Sequence, residues 1–185
     1  MRSSLLLSVA LTALVGCGNP VPSSKSSKAS SGKSAGQTLS VGDPAPAWKA
    51  TTWLNGEAVE KAEAGKVYVL EFWATWCGPC IQVMPHLTEL QAKYKDQGLV
   101  VIGMTGPDSN GNDLDQVTRF AEKMGPKMGY LVAFDTTGTT YRNYMLAAAE
   151  RGIPCSFVID RAGKVAYIGH PTRLDEVLPK VLAGK

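Results

Sequence analysis

Two cysteines separated by two residues, Cys77 and Cys80, are the side chains of this sequence best suited to covalent chemistry. They follow the run 67–72, whose β-branched and aromatic residues predict a buried strand, and they precede a segment with helical periodicity. Cys77 is therefore expected at a strand-to-helix turn, where the unpaired N–H groups and the positive dipole end of the helix stabilise a thiolate. Cys80, one helical turn further on, is placed to attack a mixed disulfide formed by Cys77. The spacing thus predicts thiol-disulfide exchange.

Two other interpretations of this pair are a zinc half-site and a structural disulfide. Zinc requires four ligands, and the sequence has neither a second cysteine pair of this spacing nor a spaced pair of histidines. The strand predicted directly before the pair favours the redox interpretation.

Glu71 stands six residues before Cys77, inside the predicted strand. An ionised carboxylate in a core costs several kcal/mol, so burial raises the pKa and lets the group hold a proton near neutral pH. Such an acid is suited to relay a proton to or from Cys80 during exchange. The alternative is a glutamate whose side chain reaches solvent.

Cys155 has no predicted disulfide partner and also carries two interpretations. A free cysteine usually behaves as a small buried apolar residue. The alternative is a third thiol close enough to the active pair to join exchange or to help bind Cu(I), which soft thiolates select.

The elements that must position these residues alternate between strands and helices. Asn55-Gly56 is a type I′ turn signal and predicts an N-terminal hairpin within 50–59. The alternation predicts an α/β fold with a central mixed sheet flanked by helices. Strands are expected at 67–74, 99–104, 131–134, 156–160 and 164–168, and helices from the cysteine pair to about 97, at 113–124, at 139–149 and from 172.

The first forty residues differ in composition from the rest of the chain. The apolar run 5–15 after Met1-Arg2 predicts a signal peptide over 1–16, because the run is too short to span a bilayer. Residues 18–40 are serine-rich with three lysines and no acid, which predicts a flexible tether. Residues 41–185 form one predicted domain with a net charge of −1, so no basic stripe supports a nucleic-acid-binding role.

The segment Leu14-Val15-Gly16-Cys17 resembles a bacterial lipobox, in which the cysteine becomes the acylated N-terminus. The alternative is ordinary signal cleavage beside a coincidental cysteine. In the lipobox interpretation, the lipidated Cys17 and the tether together form the segment 17–40. Several acyl chains on Cys17 would anchor the protein to a membrane, although the chain itself would not span that membrane.

Residues 72–80 resemble the thioredoxin active-site segment, and about 41–185 as a whole resembles the extracytoplasmic TlpA-like thiol-disulfide oxidoreductases. Pro85 corresponds to the proline inside the first active-site helix of thioredoxins, and Ile153-Pro154 to the cis-proline segment that lies against the cysteine pair. The resemblance implies a thioredoxin-like fold with a central insertion, a monomer, and no cofactor or metal.

The same resemblance implies a set of site residues. Pro154 joins Cys77, Cys80 and Glu71 as a catalytic position, and the loop 169–171 borders the active site. Trp73 and Trp76 are expected to shield the pair, and the alternative for Trp73 is a role in the core only. The implied substrate-binding residues are Trp76, Gly78, Pro79, Ile153 and Gly169.

The predicted function is a membrane-tethered, extracytoplasmic reductant of protein disulfides. Its implied electron donor is a membrane protein of the CcdA or DsbD type. One alternative is a copper-binding chaperone that uses Cys77 and Cys80 with His170 or Cys155. Another is a thiol peroxidase, which is disfavoured because its Pro-x-x-x-Thr-x-x-Cys pattern is absent.

Overall fold

The computed structural model describes residues 38–184, and its centre is a six-stranded mixed sheet. The strands are β1 (Thr52–Leu54), β2 (Val67–Phe72), β3 (Leu99–Thr105), β4 (Leu131–Phe134), β5 (Cys155–Ile159) and β6 (Val165–Gly169). The strand order is β1-β4-β3-β2-β5-β6, with β2, β3 and β4 parallel and the remaining pairs antiparallel. The two central strands, β3 and β2, are almost entirely buried, as expected for strands covered on both faces.

Four helices connect or follow these strands. Pro85 lies inside the first and longest of them, and this helix ends before Gly98, whose φ of 87° suits a residue without a Cβ. The helices are α1 (Gly78–Tyr94), α2 (Leu114–Met124), α3 (Thr139–Tyr141) and α4 (Leu174–Leu182). A π-helical turn (Arg142–Leu146) continues α3, and 3₁₀ turns occur at Lys95–Gln97, Gly125–Met128 and Pro171–Arg173.

The sheet separates two hydrophobic clusters because alternate residues of a strand point to opposite faces. On one face, Val67 and Val69 of β2 pack with buried residues of α1, α2 and α4, and the cysteine pair belongs to this cluster. On the other face, Tyr68 and Leu70 pack with Trp48 of the N-terminal segment and with the π-helical turn. The active pair therefore lies on the α1 side of the sheet.

The predicted N-terminal hairpin is wrong. Asn55 does adopt the left-handed conformation that the turn signal indicates, with φ of 63°, but the strand before it pairs with β4. Thr52 lies opposite Phe134, and the Asn55 side chain donates to the carbonyl of Met128 at 3.0 Å. The residues 57–60 are mostly exposed and include two glutamates, so they offer no apolar face to pair with, whereas β4 offers a buried edge.

The other predicted elements are present with boundaries shifted by a few residues, and the α/β thioredoxin-like architecture is confirmed. The helix expected at 139–149 is shorter, since α3 passes into the π-helical turn and the chain leaves the helix at Ala147. Within 38–184, no helix combines the length and the apolar character needed to cross a bilayer. The predicted signal peptide, the lipidation at Cys17 and most of the predicted tether lie outside the described residues.

Candidate active site

Cys77 occupies the N-cap position of α1, with extended backbone angles of −80° and 95°. The chain turns sharply between β2 and α1, and the Cys77 N–H donates to the carbonyl of Ala74 at 3.1 Å. The Cys77 Sγ accepts a hydrogen bond from the backbone N–H of Cys80 at 3.2 Å. A sulfur that accepts from the first turn of a helix is stabilised as a thiolate, as the sequence predicts for this residue.

The two cysteines are joined by a disulfide, and both are buried, Cys77 at 4% and Cys80 at 1% exposed. Gly78 and Pro79 between them are exposed. Trp76, directly before the pair, is 49% exposed. The exposed residues on both sides of Cys77 therefore bring this cysteine next to the protein surface.

The cis-proline segment lies against Cys77, as the resemblance implies. The Ile153–Pro154 peptide bond is cis. The carbonyl oxygen of Ile153 is 3.8 Å from the Cys77 Sγ. Residues from the far end of the chain thus border the pair that the β2–α1 turn presents.

A depression of about 420 Å³ lies on this side of the pair. Gly169 adopts a φ of 150°, and a Cβ there would lie 2.7 Å from the hydroxyl of Tyr167, so the position requires glycine. The structure brings four of the predicted site residues, Pro79, Ile153, Pro154 and Gly169, to this surface, and their roles remain predictions. The depression is lined by Pro79, Glu150, Gly152, Ile153, Pro154, Cys155, Gly169 and His170.

His170 is exposed and its ring is engaged locally. Its Nδ1 lies 3.0 Å from the Thr172 hydroxyl, and it accepts from the Thr172 N–H at the start of a 3₁₀ turn. The ring therefore caps this turn, which agrees with a loop histidine better than with a partner for the Cys77 sulfur.

Glu71 is buried within the sheet, on the α1 side that also holds the cysteine pair. The Ser156 hydroxyl donates to Glu71 Oε2, and Oε1 has no hydrogen-bond partner within the part of the chain that the structure describes. Burial raises the pKa of Glu71 to about 8, an effect that the Ser156 hydrogen bond partly offsets. The carboxyl group therefore holds a proton near neutral pH, which is the state that a proton relay needs before it acts as an acid.

Asn112 holds the turn that precedes Cys77, and no motif singles it out in the sequence. Its Oδ1 accepts from the N–H and the hydroxyl of Thr75 at 2.8 and 2.9 Å. Its Nδ2 donates to the Thr105 hydroxyl and the Gly106 carbonyl at 2.8 and 2.7 Å. One buried amide therefore ties the active-site turn to the end of β3. A polar residue after a buried strand was the only local signal, and such residues are common.

The two tryptophans beside the pair have different environments. Trp73 is 4% exposed and packs on Phe120, with ring centroids 5.5 Å apart, so it belongs to the core. Trp76 lies at the surface, and its Nε1 donates to Asp108 Oδ2 at 2.7 Å. Of the two, Trp76 is the one placed to meet a partner.

Cys155 is next to the cis-proline in sequence but packs on the other side of the sheet. It lies opposite Phe72 in the β2–β5 register and belongs to the cluster that excludes the active pair. Burial, followed by the nearby carboxylates of Glu150 and Glu71, raises the pKa of the Cys155 thiol to about 12. Among residues 38–184, no three His, Cys, Asp or Glu side chains are grouped so as to hold a metal ion.

Residues 40–181 match the family described as Redoxin, a range that contains the cysteine pair and the whole sheet. Protein FixW of Rhizobium leguminosarum is 33% identical over 150 residues, which cover 80% of this chain and 68% of that protein. The thiol-disulfide oxidoreductase ResA of Bacillus anthracis is 34% identical over 150 residues, covering 78% of this chain and 80% of its own. A Chlorobium tepidum crystal structure assigned as the thiol:disulfide interchange protein DsbE superposes with a TM-score of 0.61 at 29% identity, over 78% of this chain and 99% of that one.

Proposed function

The chain belongs to the Redoxin family and is a thiol-disulfide oxidoreductase, and on that premise we propose that it reduces protein disulfides outside the cytoplasm. The observation that carries this proposal is the asymmetry of the pair. Cys77 caps a helix and borders the surface, whereas Cys80 is covered behind it. Such an arrangement suits one attacking and one resolving thiol.

In the reduced enzyme, the Cys77 thiolate attacks one sulfur of a substrate disulfide, which breaks the substrate S–S bond and releases one substrate thiolate. Cys80 then loses its proton and attacks the Cys77 sulfur of the mixed disulfide. The second substrate thiolate leaves, and the Cys77–Cys80 disulfide forms. Two electrons pass from the enzyme to the substrate, and the two substrate thiolates take up protons.

Glu71 is the group we assign to the proton transfer at Cys80. Near neutral pH most Glu71 carboxyl groups hold a proton, and the ionised remainder accepts the Cys80 proton during the second attack, because the raised pKa makes this carboxylate a stronger base than an ordinary one. The hydroxyl of Ser156 holds one carboxyl oxygen, which leaves the other oxygen for the transfer.

The proposed direction is reduction, because Gly78-Pro79 between the thiols is the dipeptide of thioredoxin, a reducing member of the superfamily. A reductant in an oxidising compartment needs electrons from elsewhere. We assign that role to a membrane donor of the CcdA or DsbD type. Lipid on Cys17 would keep the enzyme near this donor, on a tether with a reach of roughly 25–30 Å.

Trapping of intermediates tests the assigned roles on the full chain. Cys80→Ser should accumulate mixed disulfides with insulin or cellular proteins, because the resolving thiol is missing, and mass spectrometry should find the linkage at Cys77. Cys77→Ser is the matched control and should trap none. If Cys77→Ser traps partners and Cys80→Ser does not, the roles assigned here are reversed. A wild-type enzyme that fails to reduce insulin would contradict the reductase function itself.

A further inference from the structure

A second depression, of about 470 Å³, shares Ile153 with the first. Trp76 and Ile153, which flank Cys77, line this cleft. Tyr141 and Arg142, from the segment between β4 and β5, line it as well. A polypeptide that reacts at Cys77 must therefore cover part of the cleft, so its lining bears on which substrates react.

Two aromatic side chains of the cleft are unusually accessible. Trp76 is 49% exposed and Tyr141 is 41% exposed, and they are two of the four large apolar side chains that are most exposed within 38–184. The hydrogen bond from Trp76 to Asp108 fixes the indole ring in this position. Exposed aromatic rings with fixed orientation provide contact area at a low cost in conformational entropy, which suits the binding of an extended chain.

The acidic groups of the cleft have their acceptor capacity in use. The Asp108 carboxylate accepts from the Trp76 indole and from two backbone N–H groups at 2.7, 2.8 and 3.1 Å. The Asp135 carboxylate is 2% exposed and accepts from the N–H and hydroxyl of Thr137 and from the N–H of Thr140. These hydrogen bonds also lower the pKa of Asp135 against the opposing effect of burial. Both carboxylates therefore have hydrogen-bond donors within the protein and do not depend on a ligand for them.

The basic groups of the cleft, by contrast, have donors to spare. A guanidinium carries five N–H donors. Arg142 directs two of them to the Thr137 carbonyl and the Thr139 hydroxyl, at 3.0 and 3.1 Å. Arg151 is exposed and makes no hydrogen bond or ion pair with any residue in the described part of the chain. The guanidinium groups are therefore the charged side chains of the cleft with the most hydrogen-bonding capacity left for a ligand.

The first depression is lined by a different set of charged groups. Glu150 lines it, and Arg142 and Arg151 do not. A chain that occupies both depressions thus meets the guanidinium groups in one of them and the Glu150 carboxylate in the other. This asymmetry distinguishes the two directions along a bound substrate.

We propose that the cleft selects protein disulfides in which an acidic residue lies within a few positions of the reacting cysteine, on one side of it only. The inference rests on the proposed reductase function. The substrate carboxylate would accept paired hydrogen bonds from Arg151, while the substrate backbone packs across Trp76 and Tyr141. Because the site is open to solvent, the attraction between the substrate carboxylate and Arg151 is modest. It sets a preference among substrates, and added salt weakens it.

The test compares peptide disulfides that differ at one position near the reacting cysteine. This position carries Glu, Gln or Lys in turn. In one series it lies before the cysteine, and in a second series it lies after it. Reduction by the full-length enzyme is followed at low ionic strength. The kcat/KM for Glu should exceed that for Lys by about two- to fivefold on one side of the cysteine, as for an exposed ion pair. The preference should shrink when salt is added.

Arg151→Gln should remove this preference, and Arg151→Glu should reverse it. Arg119→Gln is the matched control, because Arg119 is exposed on α2 and does not line the cleft, so it should keep the wild-type ratio. Equal kcat/KM values for Glu and Lys in the wild type, or an unchanged ratio in Arg151→Gln, would overturn the inference and leave the reductase function intact. Failure to reduce any peptide or insulin would instead refute the proposed function.

Discussion

Replacing Glu71 with glutamine should change how the stability of the protein depends on pH. In the unfolded chain, a glutamate loses its proton around its ordinary pKa of 4.5, whereas burial keeps Glu71 protonated in the folded protein up to about pH 8. Between these values the folded state holds a proton that the unfolded state has released. Stability therefore falls as pH rises through this window, and the effect levels off above the folded pKa.

The size of the effect follows from the two pKa values. Each unit of pKa difference corresponds to about 1.4 kcal/mol, so the gap between 4.5 and about 8 is worth about 5 kcal/mol in all. About 3 kcal/mol of this should be lost between pH 5 and pH 8, where most proteins can be measured. Glutamine keeps an acceptor for the Ser156 hydroxyl and does not titrate, so the variant should lack this loss.

Denaturant unfolding of the full chain at pH 5, 6, 7 and 8, with the disulfide kept oxidised, measures the difference. Both proteins contain the same two histidines, so the difference between variant and wild type cancels any contribution from them. Glu122→Gln removes an exposed carboxylate from α2 and should keep the wild-type slope. If the free energy of unfolding of Glu71→Gln falls with pH as steeply as that of the wild type, Glu71 is not the group that holds the proton. The proton-transfer role proposed for Glu71 then loses its basis.

Three further changes test separate parts of the structure. Asn112→Ala should lower the free energy of unfolding by about 2–4 kcal/mol and slow insulin reduction, because it leaves several buried donors and acceptors around Thr75 unpaired. Cys155→Thr should keep insulin reductase activity within about twofold, since similar volume is retained on the face away from the disulfide, and native oxidised enzyme should resist alkylation at Cys155. Cys17→Ser should release the protein from the membrane fraction, and unchanged membrane association would remove the lipoprotein proposal.

The sequence predicted the parts of this fold that local patterns determine. The β-branched run before Cys77 forms β2, and the helical periodicity after it forms α1, so the position of the cysteine at a helix N-terminus could be derived from neighbouring residues alone. The cis bond at Pro154 was predicted by a different route, from the resemblance to a known family.

Contacts between distant segments could not be derived in this way. The turn signal at Asn55 was interpreted correctly as a left-handed residue, but the partner of β1 depends on which strand edge remains free when the sheet is complete, and that strand is β4. Asn112 meets Thr75 only because the end of β3 folds beside the β2–α1 turn. Neither contact leaves a periodic pattern in the sequence, so both had to come from the structure.

The register of β5 decides which of the two residues after Pro154 meets Glu71. Ser156 lies opposite Glu71 and shares its face of the sheet, where its hydroxyl binds the carboxyl group. Cys155 lies opposite Phe72 and points into the other cluster. A shift of one residue would exchange the two, because side chains alternate along a strand, and would bring a third thiol to the face of the disulfide. The same apolar packing that fixes this register therefore gives Glu71 a hydroxyl partner and places Cys155 in the cluster that does not contain the disulfide.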